Sequence, residues 1–164
     1  MGKLHLLRDL FDEILIPKEV YREAVETGLK EGFSDALIIK EAVDQGWIKI
    51  TMLDEKEVEL CQKMVNHAFE LHMGEAQAIV SARGLGKETL LLIDESSARA
   101  FAEAWGLKVK GVVYMIMTSL RRGLLDNKEA KEIILTLVGK GFRIEPKLLA
   151  RIIREIDDFK GKCM

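Results

Sequence analysis

A chain of 164 residues that is 48% hydrophobic and 32% charged, with only two prolines, has the composition of a compact folded domain and excludes a disordered or fibrous one. Its net charge of -2 offers no global attraction to a polyanion, so nucleic-acid binding requires a local basic patch. No apolar run reaches the ~18 residues of a membrane span, the start "MGKLHLLRDLF" is too short and too charged for a secretion signal, and Cys61 and Cys163 form no CxxC, so both read as free thiols in a reducing cytoplasm.

Leu4, Leu6, Leu7, Leu10 and Phe11 recur at helical spacing. "EILIP" reads as a short strand that stops at Pro17, which can open the next helix because its missing N–H would lack a partner there. "KEVYREAVETGLKEG" is that helix, with Val20, Ala24 and Leu29 near one face. "FSDALIIKEAVDQG" is another, with Ser34 as its N-cap, and "WIKIT" alternates as a half-buried strand does. A long helix follows from about Asp54 to Leu71, then "GEAQAIVSARGLG" forms a second. "TLLLID" is an apolar strand, "ESSARAFAEAWG" a helix with Ser96 or Ser97 near its cap, and "LKVKG" a short strand. "VVYMIMTSLRRG", "NKEAKEIILTLVGKG" and "EPKLLARIIREIDDF" close the chain as helices. No repeat or linker divides it, so residues 1–164 read as one domain. The αβααβααβαβααα order argues for a parallel α/β sandwich with right-handed crossovers, whose ligands sit at the carboxyl ends of the strands. Two asparagines (Asn66, Asn127) and three glutamines beside abundant Lys, Arg and Glu lean toward a thermophilic source.

Three acids stand out by context. Asp94 ends the strand "TLLLID", Glu75 opens the helix "HMGEAQAI", and Glu23 sits on the helix after "EILIP". Carboxylates converging from separate elements suit Mg²⁺ or Mn²⁺, hard cations that prefer oxygen. The plainer readings are a helix cap for Asp94, a dipole-complementing first-turn charge for Glu75 and Glu95, and solvated surface for Glu23. "RGLGKE" lacks the spacing of a phosphate loop and precedes a strand, so it reads as a helix stop. His5, His67 and His72 make a poor zinc set, and GxSxG is absent. Tyr114, Met115 and Met117 read as core.

The stretches "LHLLRDLFDEILIPKEVYREAV", "GEAQAIVSARGLGKETLLLIDESSARAFAEAWGLKVKGVV" and "SLRRGLL" together resemble the PIN-domain proteins, in particular an uncharacterised, toxin-like prokaryotic branch. The resemblance implies a three-layer α/β/α sandwich around a parallel sheet. It implies an endoribonuclease that cleaves single-stranded or structured RNA with Mg²⁺ or Mn²⁺ held by acids, here Glu23, Glu75 and Asp94, with Glu95 in place of a second Asp. Lys108, Lys110, Arg121 and Arg122 are then candidates for the RNA backbone, and an antitoxin-like protein and a homodimer are the implied partners. A typical member opens with a central strand that ends in a further Asp, and no such stretch precedes "GKLHLL" here. The expectation is therefore direct pairing of Ile14–Ile16 with Leu91–Ile93, with weak cleavage. The alternative is a catalytically silent module that binds RNA or a protein. A small-molecule-binding receiver-like or nucleotide-binding domain is a third reading, disfavoured because no glycine fingerprint follows the first strand.

Overall fold

The computed structural model describes residues 3–67 and 71–160. The chain divides into two compact units, Met1–Gly111 and Val112–Met164. In the first, α1 (His5–Leu10) leads to β1 (Ile14–Pro17). Then α2 (Lys18–Tyr21) passes through a π-helical segment (Arg22–Thr27) into α3 (Gly28–Lys30), followed by α4 (Ser34–Asp44) and β2 (Ile48–Thr51). Next come α5 (Glu55–His67), α6 (Met73–Leu85), β3 (Leu90–Leu92), α7 (Ser96–Ala104) and β4 (Lys108–Lys110). Apart from the π segment, the order and type of these elements match the sequence pattern. The class is α/β, with every strand pair parallel.

The expected pairing of Ile14–Ile16 with Leu91–Ile93 does not occur. Ile14 lies opposite Ile48 and Leu91 opposite Val109, in two separate two-stranded sheets. The reason is local: each pair joins strands consecutive in the chain, β1 to β2 through the helices α2 to α4 and β3 to β4 through α7, with crossover helices packed back on them. Helix α6 bridges the two ribbons by packing on both β1 and β3. It carries the most buried face of the unit. Ala76, Ile79, Val80 and Ala82 meet Cys61 and Met64 of α5, Leu91 and Ile93 at β3, and Ala98 and Ala102 of α7. At its far end the Arg83 guanidinium stacks 4.7 Å from the Trp105 ring centre, and Trp105 tilts against Phe101 at 5.2 Å. The stop expected at "RGLG" is real, since α6 ends at Leu85 and Gly86 takes φ +99°, which disfavours any side chain.

Two local expectations fail. The face Val20–Ala24–Leu29 assumes α winding, but in the π segment the bonded register lengthens from i→i+4 to i→i+5. Val25 turns inward, 1% exposed, and Leu29 outward, 42% exposed. Ser34 is not the N-cap of α4; Phe33 holds that position, with no side-chain capping bond.

The second unit contains α8 (Val112–Arg121), α9 (Asn127–Gly139) and α10 (Pro146–Asp158), packed in sequence. Asp126 caps α9, its Oδ1 accepting from Glu129 N at 2.7 Å while Glu129 accepts from Asp126 N at 3.1 Å. Asn127 Nδ2 donates to the carbonyls of Ile156 and Phe159, and Lys131 pairs with Asp157 at 2.8 Å. Met115 and Met117 are core as expected, whereas Tyr114 is exposed. No helix among the described residues is long and apolar enough to cross a membrane.

Candidate active site at the carboxyl edge of the strands

Topology decides which acids can meet. The connection 86–89 joins the end of α6 to the start of β3, and α6 packs on β3. The helix therefore runs back along the strand, and its N-terminus stands at the edge where β3 finishes. Helix α2 starts where β1 finishes, and it reaches the same helix start. Glu19 N donates to Gln77 Oε1 at 3.1 Å, and Glu23 Oε2 lies 3.2 Å from the point a Cβ on Gly74 would occupy. Glu23 and Glu75 are thus brought to the start of one helix. Asp94 follows β3, on the turn into α7, where it lies against Gly111.

Their local roles differ. Glu75 Oε2 accepts from His72 N at 2.9 Å, the return half of a capping box, so this first-turn charge also has a hydrogen-bonding role that the sequence reading did not assign. Glu95 is the N-cap of α7. It accepts from Ser97 N at 3.3 Å and from the hydroxyls of Ser96 and Ser97. Those bonds, the Ser97 amide first and the Ser96 hydroxyl second, hold its carboxyl below the ordinary carboxylate range. Ser96 and Ser97 lie directly beside the cap, as expected, and bond to it. Glu23 is exposed on the π segment, beside the ion pair of Glu19 with Arg22. Asp94 is exposed on the turn, and its Oδ1 fills the space above Gly111 that a Cβ would take. Among the described residues no three His, Cys, Asp or Glu side chains are gathered closely enough to hold one metal ion.

The basic candidates divide between the units. Lys108 and Lys110 are exposed at alternate positions of β4, hence on one face, and Lys108 pairs with Glu88 at 3.1 Å. Arg121, the last residue of α8 in the second unit, and Arg122 just after it are also exposed.

Sequence reasoning missed four residues that shape this edge: Gly74, Gly111, Gln77 and Arg99. Gly74 and Gly111 make room for the carboxylates of Glu23 and Asp94, Gln77 docks α2, and Arg99 Nη1 donates to the Ile93 carbonyl at 2.9 Å. The signals present were a glycine directly after a strand, at Gly111, and an arginine one helical turn after the strand-end acids.

With this geometry established, the comparisons with known proteins place the fold. A PIN-domain family model matches residues 1–158, across both units, and the chain belongs to the PIN-domain family. No curated protein and no solved structure matches it.

Proposed function

We propose that the protein is a PIN-type ribonuclease dependent on Mg²⁺ or Mn²⁺, acting on single-stranded RNA at the carboxyl edge, with slow turnover. The observation that carries this reading is the pair of glycine-made recesses, one beneath the Glu23 carboxylate and one beneath that of Asp94. The donor set fits a hard cation, because Glu23, Glu75, Asp94 and Glu95 offer only carboxylate oxygens. Asp94 and Glu23 would hold it, and a bound cation supplies a Lewis acid for phosphate oxygen and a water acidified toward neutral pH. Gly111 and Gly74 leave those two carboxylates the space they occupy. Lys108 and Lys110 of the first unit bind the phosphate backbone, and Arg121 and Arg122 are separate candidates for it on the second. Glu75 and Glu95 carry the cap bonds described above, so recruiting either to a cation breaks a helix start, which is the reason to expect slow turnover.

The same caps favour a second reading, a catalytically silent module that binds RNA or a protein partner, antitoxin-like or a second copy. Leu29 of α3, Phe33 just before α4, and Leu37 and Ile38 of α4 add to it exposed apolar side chains close in sequence, with Phe33 57% exposed. Incubating the protein with labelled single-stranded RNA and Mn²⁺ separates the two. Cleavage that chelator abolishes and that Asp94→Asn removes supports the nuclease. RNA binding without cleavage, equal in wild type and Asp94→Asn, supports the module.

A further inference from the structure

We propose that Arg99 is the positioning residue for Asp94, fixing the turn that carries this carboxylate to the carboxyl edge; the inference rests on Asp94 being a cation ligand.

Three bonds surround the turn. The ladder runs one residue past β3, with Ile93 N donating to the Lys110 carbonyl at 2.9 Å. The Ile93 carbonyl then accepts from Arg99 Nη1 at 2.9 Å in a part-buried setting. Glu95 caps the helix that follows, and Arg99 N closes its first turn on the Glu95 carbonyl at 2.9 Å. Asp94 lies between two residues whose main chains are held, and the Arg99 side chain is the one that reaches back across the helix start to hold the nearer. The guanidinium also stands beside the recess. Its Nη1 is 3.3 Å from the point a Cβ on Gly111 would occupy, and Asp94 Oδ1 crowds that same point. The far side of the group is steadied by Glu103, 3.6 Å from Nη2. Arg99 is only 32% exposed on its side chain, against 59% for Arg22 in the other acidic neighbourhood. A planar group with donors in a fixed fork can hold a carbonyl and remain beside a carboxylate, which a flexible ammonium does less well.

The test uses the full chain as wild type, Arg99→Gln, Arg99→Lys, Asp94→Asn and the Arg99→Gln/Asp94→Asn double variant. Mn²⁺ affinity is read from the free-ion paramagnetic resonance signal, and position from the ¹³Cγ resonance of Asp94 and the ¹³C′ resonance of Ile93. Arg99→Gln is expected to weaken Mn²⁺ binding on the order of tenfold, the lower end of what an outer-shell partner contributes. It should move both resonances, and Arg99→Lys should recover part of each. The double variant should bind no more weakly than Asp94→Asn alone, because Arg99 acts through Asp94. Affinity in Arg99→Gln equal to wild type, or losses that add in the double variant, would overturn the proposal. If wild type binds no Mn²⁺ but the Asp94 resonance moves in Arg99→Gln, the positioning role stands and the cation reading fails. If that resonance does not move, the positioning role itself fails.

Discussion

The two ribbons of the first unit hold the acids that follow their strands by different means. After β1 the carboxylate comes from Glu23, six residues past Pro17 on a π-wound helix, and it lies against Gly74 of another helix. After β3 it comes from Asp94, on the turn itself, between a main-chain ladder bond and a helix cap. The position of Asp94 is therefore set by the backbone and by Arg99. The position of Glu23 depends on how its helix is wound. One acid is thus held through main-chain bonds and the other through the winding of its helix, and substitutions on the two sides should differ in kind.

The largest contrast is expected in activity. Asp94→Asn should lower single-turnover RNA cleavage by at least the roughly 10–100-fold that loss of an outer-shell partner brings. Glu23→Gln should lower it less, because the helix that carries Glu23 also presents Glu19 one turn away. Equal losses would show that the two acids are held alike.

Stability comes next. Ile79 is fully buried on α6, which packs on both ribbons. Ile79→Ala should cost about 2–5 kcal/mol in urea denaturation, and it should speed hydrogen exchange in β1 and β3 together. Exchange that rises in only one ribbon would break the idea that α6 couples them.

A smaller effect separates the two glycines. At Gly111 a Cβ would collide with Asp94 Oδ1, and the φ there is not left-handed, so Gly111→Ala should displace the carboxylate with little change in melting temperature. At Gly74 the nearest atoms, Glu23 Oε2 and Val20 Cγ2, stand at 3.2 and 3.3 Å. Gly74→Ala should shift Glu23 only slightly, and a gain in helix propensity of ~0.5–1 kcal/mol works against the strain. Mn²⁺ affinity should therefore fall more for Gly111→Ala than for Gly74→Ala.

The smallest effects are in pH. The capping bonds depress the Glu95 carboxyl, so its contribution to stability is present above the ordinary carboxylate value and is lost as pH falls through the depressed one. Glu95→Gln should flatten that acid limb. Burial, with a lesser push from the charge of Glu57, raises the Cys61 thiol from 9.0 to about 11. A raised value means the stability is full below 9.0 and lost as pH rises through about 11. Cys61→Ala should remove that alkaline loss, and urea midpoints across both limbs measure it.

The Asp94 side was the more legible in the sequence. "TLLLID" breaks from apolar to acidic in one step, so Asp94, the strand and the helix after it could all be placed. Glu23 could be assigned to a helix, but its surroundings could not, because the π segment leaves no periodic mark and moves Val25 inward in place of Leu29. The caps were only half legible: the first-turn position of Glu75 could be read but not its capping bond, and Glu95 was masked by the serines after it. Strand pairing was misjudged because hydrophobic pattern says which residues form strands and not which edges join. Gly111 and Arg99 act through space: a glycine after a strand and an arginine one turn past the acids mark the positions, but the spacing does not say what they touch.

The central claim is that Glu23 and Asp94 serve one cation at one edge. Backbone amide resonances recorded while Mn²⁺ is titrated into the full chain test it most directly. The account predicts that amides around Glu23 and Gly74 and those around Asp94 and Gly111 broaden together, at the same ion concentration, and that Asp94→Asn abolishes both effects. Broadening at one cluster alone, or at both with different affinities, would contradict it.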